Sequence, residues 1–378
     1  VDILVVAGEA SGDQHAARLV AALKQQHPEV RLFGMGGEKL QAQGVELVFG
    51  SHEISVMGIA EVVPKLPRIL HVLSALAEVA AKRKPTCALL VDVPDFNLRL
   101  AAKLKALGIK VVWYISPMVW AWRKNRVKRI AQLVDRMLCI LPFEERFYAD
   151  SQVSARYVGN PLLDAIPAAA SPAHFRTQLG MATEGRVLAL LPGSRKSEIS
   201  RILPTLVEAA KNVLAKNPSL QCVVPIAPGL ERASIERPFA DAGVPVHLVE
   251  GRAAEAVGAC DVAVVASGTA TLEAALMQRP LLAVYRLSPI SYAMGRALVK
   301  LDHFSLVNLL LNRRAIPELL QGNFTAERVA EHIEALWAGP ERERMLGDLS
   351  ALREVLGPAG ASARAAEELW AVATAARG

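Results

Sequence analysis

Cysteine is scarce in this chain. Its four thiols, Cys87, Cys139, Cys222 and Cys260, form no CxxC pair, and three sit inside apolar runs. That argues against a disulfide framework and reads as small buried hydrophobes in a reducing, cytoplasmic compartment. The eight histidines are scattered, with no HxH or HExxH, so the spacing predicts no metal site. Long apolar runs are also missing. The uncharged stretch 111–122 is broken by Pro117, and nothing reaches the roughly 18 residues that a spanning helix needs. The opening residues VDILVVAGEASGD carry no basic stretch ahead of the apolar one. They are expected to form a first buried strand, not an export signal. No Walker A or GxGxxG motif is found, which weakens ATPase and dinucleotide readings. No short repeat is visible.

What is present is apolar. The 378 residues are 52% hydrophobic, and mean hydropathy is +0.27. This balance excludes intrinsic disorder, collagen and coiled coil. The length suits two domains at roughly 150 residues each. Such excess without a membrane span has two explanations, contact with a lipid surface or an Ala/Val/Leu-rich α/β core. Net charge is +6 and the pI is near 9.2. That favours anionic partners: phosphates, nucleic acid or an anionic leaflet.

Short β-rich runs alternate with helical patterns. Strands are expected at 3–7, 30–33, 45–49, 87–91, 110–115, 137–141 and 155–158, with helices such as 14–26 and 98–107 between them. After a proline-flanked linker, 167–172, the pattern restarts with strands at 186–191, 222–226, 246–249, 262–266 and 281–285. This alternation predicts parallel, doubly wound sheets. The expected architecture is α/β, with two Rossmann-like domains (1–166 and 173–339) facing across a cleft. From about Pro289 the chain turns mostly helical. Residues 340–378 are expected to pack as helices across the hinge or onto a partner. A strand, small-residue loop and helix recur as VVAGEASGDQ, ALLPGSRKSE and VVASGTATLE.

Ligands of open α/β sheets sit outside the carboxyl ends of strands, so three loops stand out. In Ser267-Gly268-Thr269, Gly268 lets a phosphate approach the backbone and the following helix offers free N–H groups. Thr269 and Glu273 share a helix face, which suits a diphosphate at the tip and a ribose held by Glu273. The plain alternative is a strand-to-helix turn with Glu273 in water. Pro192-Gly193-Ser194-Arg195 repeats the placement and adds a guanidinium fork for a diphosphate, or else a Ser194 cap and a surface arginine. Asp92 ends a buried strand ahead of Pro94. It is either a general base for a hydroxyl nucleophile or a turn aspartate capping backbone. Two more segments concern surfaces. The run 56–79 is greasy, with Val62, Val63, Leu66, Ile69, Leu70 and Leu73 around Lys65 and Arg68. It suits a membrane interface or an acyl groove, or equally a core helix. The run 120–129 mixes tryptophans with basic residues and fits an anionic membrane surface, a nucleic acid or a solvated helix face.

At these residues the chain resembles the lipid-A-disaccharide synthase family. The matching stretches are GEASGD (8–13), MGIAEV (57–62), DVPDFN (92–97), VWAWR (119–123), LPFE (141–144), LPGSR (191–195), ASGTATLE (266–273) and ELLQ (318–321). They run in family order over nearly the whole chain. The resemblance implies a GT-B fold and an inverting transfer, metal- and cofactor-free, from UDP-2,3-diacylglucosamine to 2,3-diacylglucosamine 1-phosphate. No DxD motif is evident, in keeping with that. It implies Asp92 as general base, Glu9 and Asn308 as needed for activity, and Ser11, Gly12, Ser194, Arg195, Ser267, Gly268, Thr269, Ala270 and Glu273 around the substrates. Because both of these substrates are acylated, peripheral binding to the cytoplasmic leaflet of the inner membrane is expected, with no nucleic-acid partner and with room for a homodimer. Met118, Val307 and Asn160 depart from the family's usual serine, proline and histidine. Other classes set against this reading are a related UDP-sugar transferase or 2-epimerase, a two-domain solute-binding protein, and a nucleic-acid binder.

Overall fold

The computed structural model describes residues 1–54, 59–121, 125–166, 171–288, 292 and 302–375, with the backbone alone for 59–63. The chain divides into two units, Val1–Asp164 with Leu356–Gly378, and Ala165–Val355.

In the first unit the chain runs β1 (Asp2–Ala7), α1 (Ala10–Gln26), β2 (Arg31–Gly36), α2 (Glu38–Ala42), β3 (Glu46–Gly50), α3 (Ile59–Arg83), β4 (Cys87–Val91), α4 (Pro94–Ala106), β5 (Lys110–Tyr114), α5 (Arg126–Leu133), β6 (Arg136–Cys139), α6 (Pro142–Ala149) and β7 (Ala155–Tyr157), with α7 (Leu162–Ala165) at its boundary. The seven strands form one sheet in the order β3-β2-β1-β4-β5-β6-β7. All its pairings are parallel, and Ala7 lies opposite Val91 where the winding reverses. The central strands are apolar without alternation because both faces are covered. Leu4 and Val6 join one core with Leu76, Leu100 and Trp113. Ile3 and Val5 face the other, with Leu19, Val20 and Leu369. Proline opens α4 and α6, where its missing N–H removes no helical bond.

The second unit repeats the plan. It runs α8 (Pro172–Gln178), β8 (Val187–Leu191), α9 (Lys196–Lys216), β9 (Gln221–Ile226), α10 (Arg232–Asp241), β10 (Val246–Glu250), α11 (Ala253–Ala259), β11 (Val262–Ala266), α12 (Thr269–Leu276), β12 (Leu281–Tyr285), α13 (Leu306–Leu311), β13 (Glu318–Leu320), α14 (Ala326–Trp337) and α15 (Pro340–Leu356). Its sheet order is β10-β9-β8-β11-β12-β13, reversing between β8 and β11. Each expected strand is present to within a few residues. The short β13 has no counterpart among the expectations.

The closing segment 340–378 splits between the units. α15 stays in the second, and α16 (Ala361–Thr374) belongs to the first. Asp164 accepts hydrogen bonds from the backbone N–H groups of Gly360, Ala361 and Ser362 at 2.5, 3.3 and 3.0 Å, so a carboxylate caps α16 at its positive end. His27, the residue that ends α1, stacks on Trp370 with ring centroids 3.6 Å apart. Among the described residues no helix is long and apolar enough to cross a membrane.

Candidate functional site

Each sheet has one place where the winding reverses, and the expected loops lie there. GEASGD follows β1 and DVPDFN follows β4, its neighbour in the sheet. LPGSR ends β8 and ASGTATLE ends β11, with Leu191 opposite Val265. These are the positions where open α/β sheets take ligands.

In the first unit the two loops touch. A side chain at Gly8 would meet Ile54 Cδ1 at 2.7 Å and Val93 Cγ2 at 2.8 Å, so only glycine lets the chain pass so near the turn after β4. A Cβ at Gly12 would lie 3.7 Å from the Asp92 Cβ, which puts the first turn of α1 beside the proposed base. Glu9 occupies the N-cap position of α1 with its side chain exposed, as is that of Ser11. Asp13, the last residue of the motif, is buried and accepts from the N–H groups of Gly37, Lys39 and Leu40 at 2.7, 3.0 and 3.3 Å. It caps α2 and is structural.

Asp92 and Val93 both lie in the left-handed region, with φ of 54° and 41°. Such residues cost about 1–3 kcal/mol each and persist where the surroundings impose them. Asn97 imposes them here. Its buried amide donates to the Asp92 carbonyl at 2.7 Å and to the Val91 carbonyl at 3.2 Å. The Asp92 carboxyl is half-buried, and desolvation raises its pKa above the ordinary 3.8, partly offset by a bond from the Val93 N–H. It is therefore a stronger proton acceptor than an aspartate in water.

In the second unit Arg195 is exposed at the start of α9 and lies 3.5 Å from Glu198. Glu198 folds back over the loop, accepting from the Ser194 N–H at 3.3 Å and the Tyr285 hydroxyl at 3.1 Å. Gly193, at φ 112°, makes room for it, since a Cβ would lie 2.7 Å from its Oε2. Gly268 and Thr269 are exposed at the tip of α12, with Ala270 and Glu273 half-buried behind them. The Ser267 hydroxyl donates to the Phe304 carbonyl at 3.3 Å. Glu318, in the ELLQ motif, fixes that neighbour. Its Oε1 accepts from the N–H groups of Phe304 and Ser305 at 3.2 and 2.8 Å, and His303 lies 3.6 Å from its Oε2. Beyond the ends of β12 and β13 lies an open cavity of about 610 Å³, lined by Arg201, Arg286, Leu287, Ser288, Gln321 and Gly322.

Some expectations need correction. Asn308 is fully buried, and its amide is taken up by backbone. Nδ2 donates to Ile316 O at 3.0 Å, and Oδ1 accepts from Ala315 and Ile316 N–H at 2.8 and 3.0 Å. It shapes the turn before β13. On α3, Leu73 is buried and Ile69 packs against the same core, because they lie on the face that meets the sheet. Leu66 and Leu70 are 42% and 41% exposed, near the exposed Lys65 and Arg68. The side chains of Val62 and Val63, and residues 55–58 and 122–124, lie outside the described residues. Of the departures, Met118 is exposed and Val307 is buried. Asn160 is buried, donating to Ile140 O at 3.2 Å and accepting from Leu162 N–H at 3.0 Å. Among the described residues no three His, Cys, Asp or Glu side chains gather to hold a metal ion. Asn97, Glu198 and Glu318 were not singled out from sequence. Asn97 and Glu318 lie inside recognised motifs, and that was their only signal.

The family model described as lipid-A-disaccharide synthetase matches residues 3–354. A lipid-A-disaccharide synthase of Myxococcus xanthus is 59% identical over 97% of this chain and 96% of its own. One of Anaeromyxobacter dehalogenans is 51% identical over 98% and 97%. Among solved structures, a UDP-GlcNAc 2-epimerase from Neisseria meningitidis bound to UDP-GlcNAc superposes with a TM-score of 0.68 at 14% identity, covering 98% of this chain and all of its own. A glycosyltransferase from Rickettsia africae gives 0.60 at 12% identity, covering 99% of both chains. At such identities these two speak to the fold, the GT-B arrangement of two parallel-sheet Rossmann-like domains.

Proposed function

The chain belongs to the lipid-A-disaccharide synthase family, and from that premise we propose that this glycosyltransferase joins UDP-2,3-diacylglucosamine to 2,3-diacylglucosamine 1-phosphate. The products are the β(1→6) disaccharide 1-phosphate and UDP. The observation that carries the residue roles is Asp92, a carboxylate of raised basicity held in a strained turn at the reversal point of the first sheet.

The acceptor 6-hydroxyl attacks donor C1 from the face opposite the diphosphate. The new C1–O bond forms as the C1–O bond to the diphosphate breaks, and α becomes β. The hydroxyl proton passes to Asp92. The pair of electrons leaves with UDP, whose growing charge meets Arg195 and the N–H groups at the tips of α9 and α12. Ser194, Ser267, Gly268, Thr269 and Ala270 line that diphosphate, and Glu273 holds the ribose. The cavity beside Arg286 continues the same sheet edge and has room for the uridine. Glu9, Ser11 and Gly12 border the acceptor beside Asp92. No metal is needed for this charge balance.

Both substrates are acylated, so the reading includes peripheral contact with the cytoplasmic leaflet of the inner membrane. Its support is the exposed pair Leu66 and Leu70 near Lys65 and Arg68, a mixture suited to an anionic interface.

Asp92→Asn tests the base. Turnover of purified protein on both acylated sugars is expected to fall about 10²–10⁴-fold, with UDP affinity retained and with EDTA leaving the wild type unaffected. Near-normal turnover in this variant would make Asp92 structural.

A further inference from the structure

Glu144 carries a carboxyl that a helix cap does not account for. It sits at the third position of α6, and its Oε2 accepts from the Leu141 N–H at 3.1 Å, as a capping carboxylate does. Its Oε1 accepts from the Trp120 indole N–H at 3.1 Å. A capping glutamate ordinarily keeps its charge in water, since burial of a carboxylate is unfavourable. This one is 1% exposed. Desolvation pushes it up to about 7, against hydrogen bonds from Leu141, Trp120, Ile140 and Ser116. The Ser116 hydroxyl in turn shares a hydrogen with the Tyr148 hydroxyl at 3.0 Å. The Trp120 ring meets Phe143 edge-on with centroids 4.8 Å apart. Trp120, in the segment that follows β5, thus donates directly to a buried carboxyl.

That loop frames Asp92. β5 lies beside β4 with Tyr114 opposite Val91, so Ile115 and Ser116 leave the sheet next to Asp92. The Asp92 N–H approaches the Tyr114 carbonyl at 3.4 Å. At the far end of the loop, Arg126 opens α5 and pairs with Asp95 on the first turn of α4. The loop therefore starts and finishes beside the turn that carries the proposed base. Its middle is tied by Trp120 to Glu144. Trp120 itself is only half-buried, so part of the ring remains on the surface.

We infer that Glu144 is a positioning residue for the transfer: through Trp120 it holds residues 115–121, the chain leaving β5, as a wall of the acceptor pocket beside Asp92. The inference rests on the reading of Asp92 as the base on the acceptor side. The chemistry asks for a carboxyl here. Trp120 and Leu141 both donate, and a glutamine amide has only one accepting atom to offer them.

The test is a double-mutant cycle on kinetics with both acylated sugars. Glu144→Gln and Trp120→Phe are each expected to raise KM for the acylated glucosamine 1-phosphate by roughly tenfold, with UDP affinity unchanged. The double variant should be no worse than the worse single, because both break one contact. A folded Glu144→Gln with wild-type acceptor KM would overturn the inference, as would effects that multiply or that weaken UDP binding equally. If Glu144→Gln fails to fold, Trp120→Phe alone decides, since it keeps an aromatic ring against Phe143 while removing the donor. Asp92→Asn run beside them separates the two readings. It should lose turnover at unchanged acceptor KM. A fully active Asp92→Asn with a raised KM in Trp120→Phe would reject the base and leave the wall standing.

Discussion

Asp92 and Arg195 show how differently two site residues are held. Asp92 is locked: its backbone is strained, Asn97 clamps it from below, and Gly8 leaves space for Val93 beside it. Arg195 stands in water with one long contact to Glu198. A fixed carboxylate and an exposed guanidinium suit the proposed tasks, since proton transfer needs fixed geometry and a guanidinium open to solvent can meet an arriving diphosphate. Arg195→Ala is expected to weaken UDP binding by about tenfold or more, given roughly 1.5–3 kcal/mol for a hydrogen bond to a charged group. Glu273→Ala should weaken it through the ribose. Calorimetric titration with UDP reads both, and unchanged affinity in the pair would remove the helix-tip argument from the second unit. The sequence exposed Asp92 and Arg195 because each follows an apolar strand. It hid Asn97 and Glu144, whose importance lies in which carbonyl or indole they meet, and spacing alone does not encode that.

At the scale of elements, the parallel strands were readable because buried strands are continuous apolar runs bounded by small residues. Helix starts were less so. α1 begins at Ala10, ahead of the first residue of its periodic pattern, because Ser11 and Gly12 look like loop, whereas Gly12 in fact gives the close approach to β4. β13 is too short to carry a pattern. α3 shows the same limit in its faces. Its apolar residues were legible as a group, but only packing separates Leu73, in the core, from Leu66 and Leu70, outside it. Replacing Leu66 and Leu70 together by serine is expected to keep the thermal melt and to shift the protein from sedimented anionic vesicles to the supernatant. Leu73→Ser should instead lose stability by about 3 kcal/mol or more. Undiminished vesicle binding by the folded Leu66/Leu70 variant would move the contact to another surface.

For the whole molecule, two units of similar winding account for nearly all of the sequence rhyme between the halves. The closing helices were legible as helices, whereas their division between units depends on partners far away in sequence. α16 completes the first unit, lying in one core with Leu19, Val20, Leu89 and Tyr114. A chain ending after Gly357 is expected to lose the cooperative unfolding of the first unit in calorimetry and to lose turnover, while still binding UDP. A first-unit transition unchanged by that deletion would make α16 an accessory. The same feature sets an order of events during biosynthesis. The first unit cannot finish when its own strands have emerged, because its last helix is translated after the whole of Ala165–Val355. At the usual pace of synthesis that delay is on the order of 10–40 s. For that time the groove awaiting Leu369 and Trp370 stands open to water. The nascent chain therefore carries a half-built apolar face until residues 361–374 are made, and shielding that face over this interval is expected to raise the folded yield.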